Sequence, residues 1–182
     1  MYFNLYVVEG KSDVDKLTSL GCKYIYKTNG YEGLTQSKIK FLIEANKIRN
    51  IVLVLDPDGP GKLLSSTLKK VLTKYNEIRI PKNQAIKKNK VGIAESNPTL
   101  LKENLRKYIE NDKNIQEIPT ILLSEVKKLD EKQIKHLYAC YHVDTTQGFN
   151  YICKQLNMLR INIDNIKETY DEFIRSHNWI NE

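Results

Sequence analysis

Two short acidic stretches in this chain each follow an apolar run. Val7-Val8-Glu9-Gly10 closes the run over residues 3–8, and Asp56-Pro57-Asp58-Gly59-Pro60-Gly61 follows Ile51-Val52-Leu53-Val54-Leu55. Alternate residues of an extended segment point the same way, and the intervening proline keeps the aspartates out of a helix, so both carboxylates are free to face one cation. If the two apolar runs are neighbouring strands, Glu9 joins them. Carboxylates packed in a poorly solvated cleft repel one another, and hard divalent cations that prefer oxygen ligands, Mg2+ above all, are their natural counter-charge. One such cation polarises a phosphoryl oxygen and acidifies water, and two of them clamp both the attacking and the leaving oxygens of a phosphodiester. Asp-Pro-Asp-Gly alone is also an ordinary turn composition. Its coupling to Glu9-Gly10-Lys11 at a second strand end is what favours a site.

The elements that must bring these acids together are short and alternate in type. Apolar runs at residues 3–8, 24–26, 51–55 and 77–80 are separated by helical patterns at 13–20, 37–48 and 62–75, and a further helix is predicted over 99–109. Strands separated by helices of about ten residues imply parallel βαβ crossovers. Residues 51–55, apolar at every position, read as a central strand covered on both faces. Residues just past the C-terminal ends of such strands gather along the edge where ligands bind, and that is where Glu9, Asp56 and Asp58 fall. Ser12-x-x-Asp15 resembles a capping box, Gly21 a helix C-cap, and Asn97-Pro98 a helix start. After Asn111 the strand signals stop. Helical segments at 121–129, 132–141, 148–159 and 166–174 predict a small all-α domain, giving domains at 1–110 and 115–182 with a hinge at Asn111-Asp112-Lys113-Asn114. Its aromatics, Tyr138, Tyr141, Phe149, Tyr151, Tyr170, Phe173 and Trp179, are expected to pack in its core.

With 182 residues the chain can bury one good core and a small appendage. It contains no apolar run of membrane-spanning length and no signal-like start, so a cytoplasmic protein without a membrane partner is expected. Cys22, Cys140 and Cys153 are too scattered for a zinc site or disulfide framework, and no two of His136, His142 and His177 share a helical turn. Charge is uneven: 20 Lys and Arg against 11 Asp and Glu up to residue 110, then 9 against 11. The first part is therefore the one that faces a polyanion. Lys82, Lys87, Lys88 and Lys90 crowd a polar segment before the last helix of that part and are expected to touch phosphates. Backbone contacts of this kind suit a duplex RNA stem, whose major groove hides its base edges.

The glutamate-glycine after the first strand and the Asp-x-Asp after the third resemble the signature of the Toprim family. More closely, Val7-Val8-Glu9-Gly10-Lys11-Ser12-Asp13, Thr28-Asn29-Gly30, Asp56-Pro57-Asp58-x-Pro60-Gly61, Pro81-Lys82-x-x-Ala85 and Val91-Gly92-Ile93 look like the ribonuclease M-5 family, the bacterial maturases of 5S ribosomal RNA. The resemblance implies a Toprim α/β fold with a mostly parallel, Rossmann-like sheet and helices on both faces, followed by a small all-α domain. It implies an Mg2+-dependent endoribonuclease, with one or two ions and Mn2+ able to substitute. Its substrate would be precursor 5S rRNA, cut in its double-stranded stem while bound to the large-subunit ribosomal protein that holds it. By position, Glu9, Asp56 and Asp58 become the metal ligands and catalytic acids, Glu9 also a candidate base, while Gly10, Lys11, Asn29, Gly30 and Glu95 are cleft candidates. The chain departs from the family pattern twice. Gly59 stands where that pattern has an aromatic residue, with Lys62-Leu63-Leu64-Ser65 in place of Glu-Lys-x-Arg. Gly92-Ile93-Ala94-Glu95 stands in place of Gly-x-Glu-His, which moves the acid by one position. A Toprim DNA nuclease and a non-catalytic RNA-binding assembly factor are the alternatives. Size argues against a strand-passing topoisomerase, which needs a separate domain to supply its nucleophilic tyrosine.

Overall fold

Ile51-Val52-Leu53-Val54 forms strand β3 (Ile51–Val54), and all four residues are fully buried, as a run with no polar face requires. The computed structural model describes residues 2–87 and 90–178. In it β3 pairs in parallel with β1 (Leu5–Val8) on one side and β4 (Tyr75–Ile78) on the other, while β2 (Tyr24–Lys27) extends the sheet beyond β1. The strand order is β2-β1-β3-β4. Helices α1 (Lys11–Ser19), α2 (Gln36–Ile48) and α3 (Gly59–Lys69) make the crossovers, and α4 (Pro98–Lys113) follows a short hairpin of β5 (Ile86–Lys87) and β6 (Lys90–Val91).

This order matters for the acids. The chain leaves β1 outward to β2, then doubles back past β1 to β3 and on to β4. Since such crossovers are right-handed, the reversal sends α1 to one face and α2 and α3 to the other. Packing agrees. Tyr6, Val8, Val52 and Val54 cluster with Leu17 of α1 and with Leu101, Leu105 and Ile109 of α4. The alternate residues Leu5, Val7 and Leu53 are buried on the opposite face, where Tyr26 stacks on Phe41 of α2 with ring centroids 4.7 Å apart. Each fully buried aliphatic contributes about 1.5–3 kcal/mol. The two helices diverging from β1 and β3 leave a crevice between the C-terminal ends of those strands. Glu9 and Asp56 stand at its two sides.

Local boundaries differ from expectation where tertiary contacts decide them. α1 begins at Lys11, because the Gly10 N–H donates to Asp13 Oδ2 at 2.8 Å; Asp13 closes the cap, and the Ser12/Asp15 pair does not. β4 lies two residues earlier than 77–80, since pairing with β3 matches Ile51 to Tyr75 and Val54 to Ile78. α3 accordingly stops at Lys69 instead of running to 75. Residues 111–114 are no hinge: α4 continues through Lys113, and buried Asp112 accepts from the Asn4 backbone N–H, Asn4 Nδ2 and the Tyr6 hydroxyl at 2.9, 2.8 and 2.7 Å. The Asn97 cap and the positive φ of Gly21 (+96°) agree with the reading from sequence.

The chain divides into two compact units, Met1–Glu117 and Ile118–Glu182. Glu117 is tied into the first by Arg49, and both side chains are out of solvent. The second unit holds α5 (Leu123–Val126), α6 (Glu131–Tyr141), α7 (Phe149–Leu159) and α8 (Ile163–Asn178). Its core is aliphatic: Ile121, Val126, Leu137, Val143, Ile152, Leu156, Met158 and Ile166 are buried. The expected aromatic packing is found only in part: Tyr141, Tyr170 and Phe173 surround the buried His136 ring, with centroids 6.5, 5.5 and 5.4 Å away, while Tyr138 and Phe149 are exposed and Tyr151 is partly covered; Trp179 lies outside the described residues. The amphipathic pattern is satisfied by the shorter aliphatics, which interdigitate between helices this short. Among the described residues no helix is long and apolar enough to cross a membrane.

Candidate active site

Glu9 directly follows β1 and reaches across the crevice, where its Oε1 accepts the backbone N–H of Asp56 at 2.9 Å. On its other side the Asn29 N–H donates to the Glu9 backbone carbonyl at 2.9 Å, continuing the β1–β2 ladder past the last strand residue. Asn29 and Gly30 then turn away with φ of +66° and +73°, conformations that asparagine and glycine tolerate. Asp56 points toward the loop after β6: its Oδ1 accepts the Ile93 N–H at 2.6 Å. The same loop is fastened by Asp13, whose Oδ1 accepts the Ala94 N–H at 3.2 Å, and by Lys16 Nζ, which donates to the carbonyls of Ala94 and Ser96 at 3.3 and 2.9 Å.

These residues enclose a cleft of about 370 Å3 lined by Glu9, Gly10, Ser12, Asp13, Asn29, Gly30, Asp56, Ala94 and Glu95. Two glycines allow the acids and the backbone around it to approach closely. A Cβ on Gly61 would stand 2.7 Å from Glu9 Oε1, and one on Gly92 would stand 2.8 Å from Glu95 Oε2 and 3.2 Å from both Asp56 carboxylate oxygens. Glu9, Asp13, Asp56 and Glu95 therefore share one small space.

Burial raises the Asp56 carboxyl to about 7; the Ile93 N–H opposes this, and the charges of Asp13, Glu9 and Asp58 add to it. Glu9 is pushed up by burial against the opposing Asp56 N–H, with further repulsion from Asp58 and Asp13. Asp13 is raised chiefly by burial too, opposed by the N–H groups of Gly10 and Ala94. Carboxylates crowded in this way are short of positive charge, and no lysine or arginine is among the lining residues to supply it.

Among the described residues no three acidic, histidine or cysteine side chains close on one point tightly enough to hold a metal ion. The donor set nonetheless fits a hard divalent cation, because it is all carboxylate and Glu9 and Asp56 each spend one oxygen on a backbone N–H.

Asp58 is placed differently from its neighbour. It is the N-cap of α3, its Oδ1 accepting from the Gly61 N–H at 2.8 Å, and it adjoins the cleft without lining it. Lys11 is exposed on the first turn of α1 and does not line the cleft either. Lys82 lines a neighbouring groove along α3 and β4. Lys88 lies outside the described residues, as do the side chains of Lys87 and Lys90. Asp13 and Ser12 were missed as cleft residues. The available signal was spacing: Asp13 lies one helical turn after the glycine that follows Glu9, on the face that looks back at the strand end.

A family model for the Toprim domain matches residues 4–91, the segment that carries the sheet and every cleft residue up to Asp56. Ribonuclease M5 of Mycoplasma genitalium is 30% identical over 165 residues, covering 88% of this chain and 90% of that protein. The chain belongs to the ribonuclease M5 family. Ribonuclease M5 of Mycoplasma mycoides subsp. mycoides SC is 29% identical over 179 residues, covering 91% and 96% of the two chains, and that of Mesoplasma florum is 35% identical over 114 residues, 60% and 65%. The likeness to the mycoplasma M5 proteins thus runs through the helical unit as well as the Toprim domain.

Proposed function

We propose that this M5-family chain is an Mg2+-dependent endoribonuclease that trims precursor 5S rRNA within its double-stranded stem, in the cytoplasm, while the large-subunit ribosomal protein that binds 5S rRNA holds the substrate. Membership of the family and the Toprim domain support a nuclease role in rRNA maturation. The observation that carries the finer reading is the convergence of Glu9, Asp13, Asp56 and Glu95 on one cleft with no cation among its lining residues. A phosphate diester would be repelled from such a cleft unless divalent charge came with it, and Mg2+ held there would supply that charge, polarise the phosphoryl oxygen and acidify water. Glu9, Asp56 and Asp58 would hold one or two ions, with Mn2+ able to substitute. Glu9, which lines the cleft, has a raised proton affinity and commits only Oε1 to the Asp56 N–H, is suited to orient the attacking water and take its proton. Asp13 and Lys16 act one step back, holding the loop at 93–96 against the strand ends. Asn29 and Gly30 form the cleft wall, and Lys82, on the neighbouring groove, would meet a backbone phosphate; Lys87, Lys88 and Lys90 are proposed as RNA contacts from the sequence alone.

The test mixes purified protein, precursor 5S rRNA and the ribosomal protein in Mg2+ and follows product ends on a gel. Wild type is expected to cut, and Glu9→Gln and Asp56→Ala to lose at least two orders of magnitude in rate. Equal cutting by Asp56→Ala would end this reading. Faster cutting of the matching DNA duplex would move the assignment to a DNA nuclease, and absence of any cutting by wild type to a binding factor.

A further inference from the structure

A second groove, of about 520 Å3, meets the acidic cleft at Asp56 and continues from it in the opposite direction, over the C-terminal ends of β3 and β4 and along α3. Its lining has the reverse chemistry. Lys62, Lys69, Arg79 and Lys82 contribute four cations, and Ser65 and Ser66 contribute hydroxyls, against the carboxylates of Glu77 and of Asp56 at the shared end. Glu77 is already engaged: it binds Lys69 and Arg79 at 2.7 and 2.5 Å and accepts from Ser65. It thereby fixes Lys69 beside the groove, while the Arg79 side chain stays 81% exposed. Lys62 and Lys82 are exposed, with no ion pair among the described residues.

Resting on the nuclease reading above, the geometry points to this groove as the track for the RNA backbone on one flank of the cut. The scissile phosphate sits at the acids, and the phosphates that follow it lie along Lys62, Lys69, Arg79 and Lys82. The strand order makes the arrangement one-sided. The C-terminal sheet edge carries acid over β1 and β3 and base over β4, so a strand crossing the edge meets cations after Asp56 and none before it among the lining residues. A ribose-phosphate backbone is recognised here by charge and hydroxyl contacts without base reading.

The experiment measures kcat/KM for precursor 5S rRNA, with the ribosomal protein at fixed saturating concentration and constant Mg2+, across a range of NaCl concentrations. The variant is Lys62→Gln with Arg79→Gln, chosen because Lys69 and Ser65 keep Glu77 partnered. The control is Lys70→Gln with Lys74→Gln, the same charge change at exposed neighbours that do not line the groove. The groove variant is expected to lower the magnitude of the log–log salt slope by about 2, about one for each phosphate that is no longer neutralised. It should also become less sensitive than wild type to truncating the RNA on one side of the cut, since two of the four cations along the track are gone. The control should keep the wild-type slope. If wild type cuts and the groove variant matches the control in both respects, the track is wrong while the nuclease reading stands. If wild type does not cut at all, the nuclease reading fails first. Thermal melting of both variants, and Lys82→Gln alone as a variant that breaks no ion pair, separate misfolding from weakened RNA binding.

Discussion

Replacing Asp56 with asparagine should stabilise the metal-free protein at alkaline pH while abolishing its response to metal. In the folded chain Asp56 holds its proton up to about 7, against an ordinary 3.8, because it is partly buried beside Asp13, Glu9 and Asp58. Between those two values the folded state binds more protons than the unfolded state, so stability falls as pH rises from about 4 to about 7 and is then level. At 1.36 kcal/mol for each pH unit the full penalty would be about 4 kcal/mol. Asp56 faces a cleft open to water, and screening there brings the figure to about 1–2 kcal/mol. Glu9 and Asp13 are raised as well and add to the wild-type slope in the same direction. Asparagine keeps an oxygen for the Ile93 N–H and carries no charge, so Asp56→Asn should remove Asp56's share of the slope and melt a few degrees higher than wild type at pH 8. Mg2+ or Mn2+ should raise the wild-type melting temperature, by about 2.7 kcal/mol of stability at one hundred times Kd, and leave the variant unmoved. The assay is thermal denaturation of EDTA-treated protein from pH 5.5 to 8.5, with and without each metal. A variant less stable than wild type at pH 8 without metal, or a wild type that gains stability as pH rises through this range, would refute the reasoning.

Three further outcomes are expected. Gly92→Ala should cut at least tenfold more slowly with its circular dichroism unchanged, since the added methyl would stand 3.2 Å from both Asp56 carboxylate oxygens and crowd Glu95. Lys16→Met removes two charged hydrogen bonds that fasten the 93–96 loop, so stability should drop by about 1–3 kcal/mol and cleavage should fall with it, as read by denaturant titration beside the gel assay. Arg49→Met leaves Glu117 charged and almost fully out of solvent and should cost about 3–5 kcal/mol in the same titration, while Arg49→Met with Glu117→Leu recovers much of that loss.

The residues themselves show how far the sequence could be read. An unbroken Ile-Val-Leu-Val must be buried on both faces, and Glu9-Gly10 with Asp56-Pro57-Asp58 must follow their strands, because these are properties of neighbouring residues along the chain. The alternation of strands and helices, and with it the α/β class, has the same local origin. Where the pattern was degenerate the sequence was silent. Residues 75–80 could pair with β3 in either register, and contact with β3 selected Tyr75–Ile78. Residues 111–114 look like a hinge by composition, yet Asp112 is buried by bonds to Asn4 and Tyr6, more than a hundred positions away. Asp13 reads as an ordinary helix-start acid until the 93–96 loop folds over it. Which acids stand at strand ends is thus written into the local order of residues. Which of them share a cleft emerges only on folding, because that depends on the reversal of strand order between β1 and β3, a choice of pairing partners that no single segment encodes.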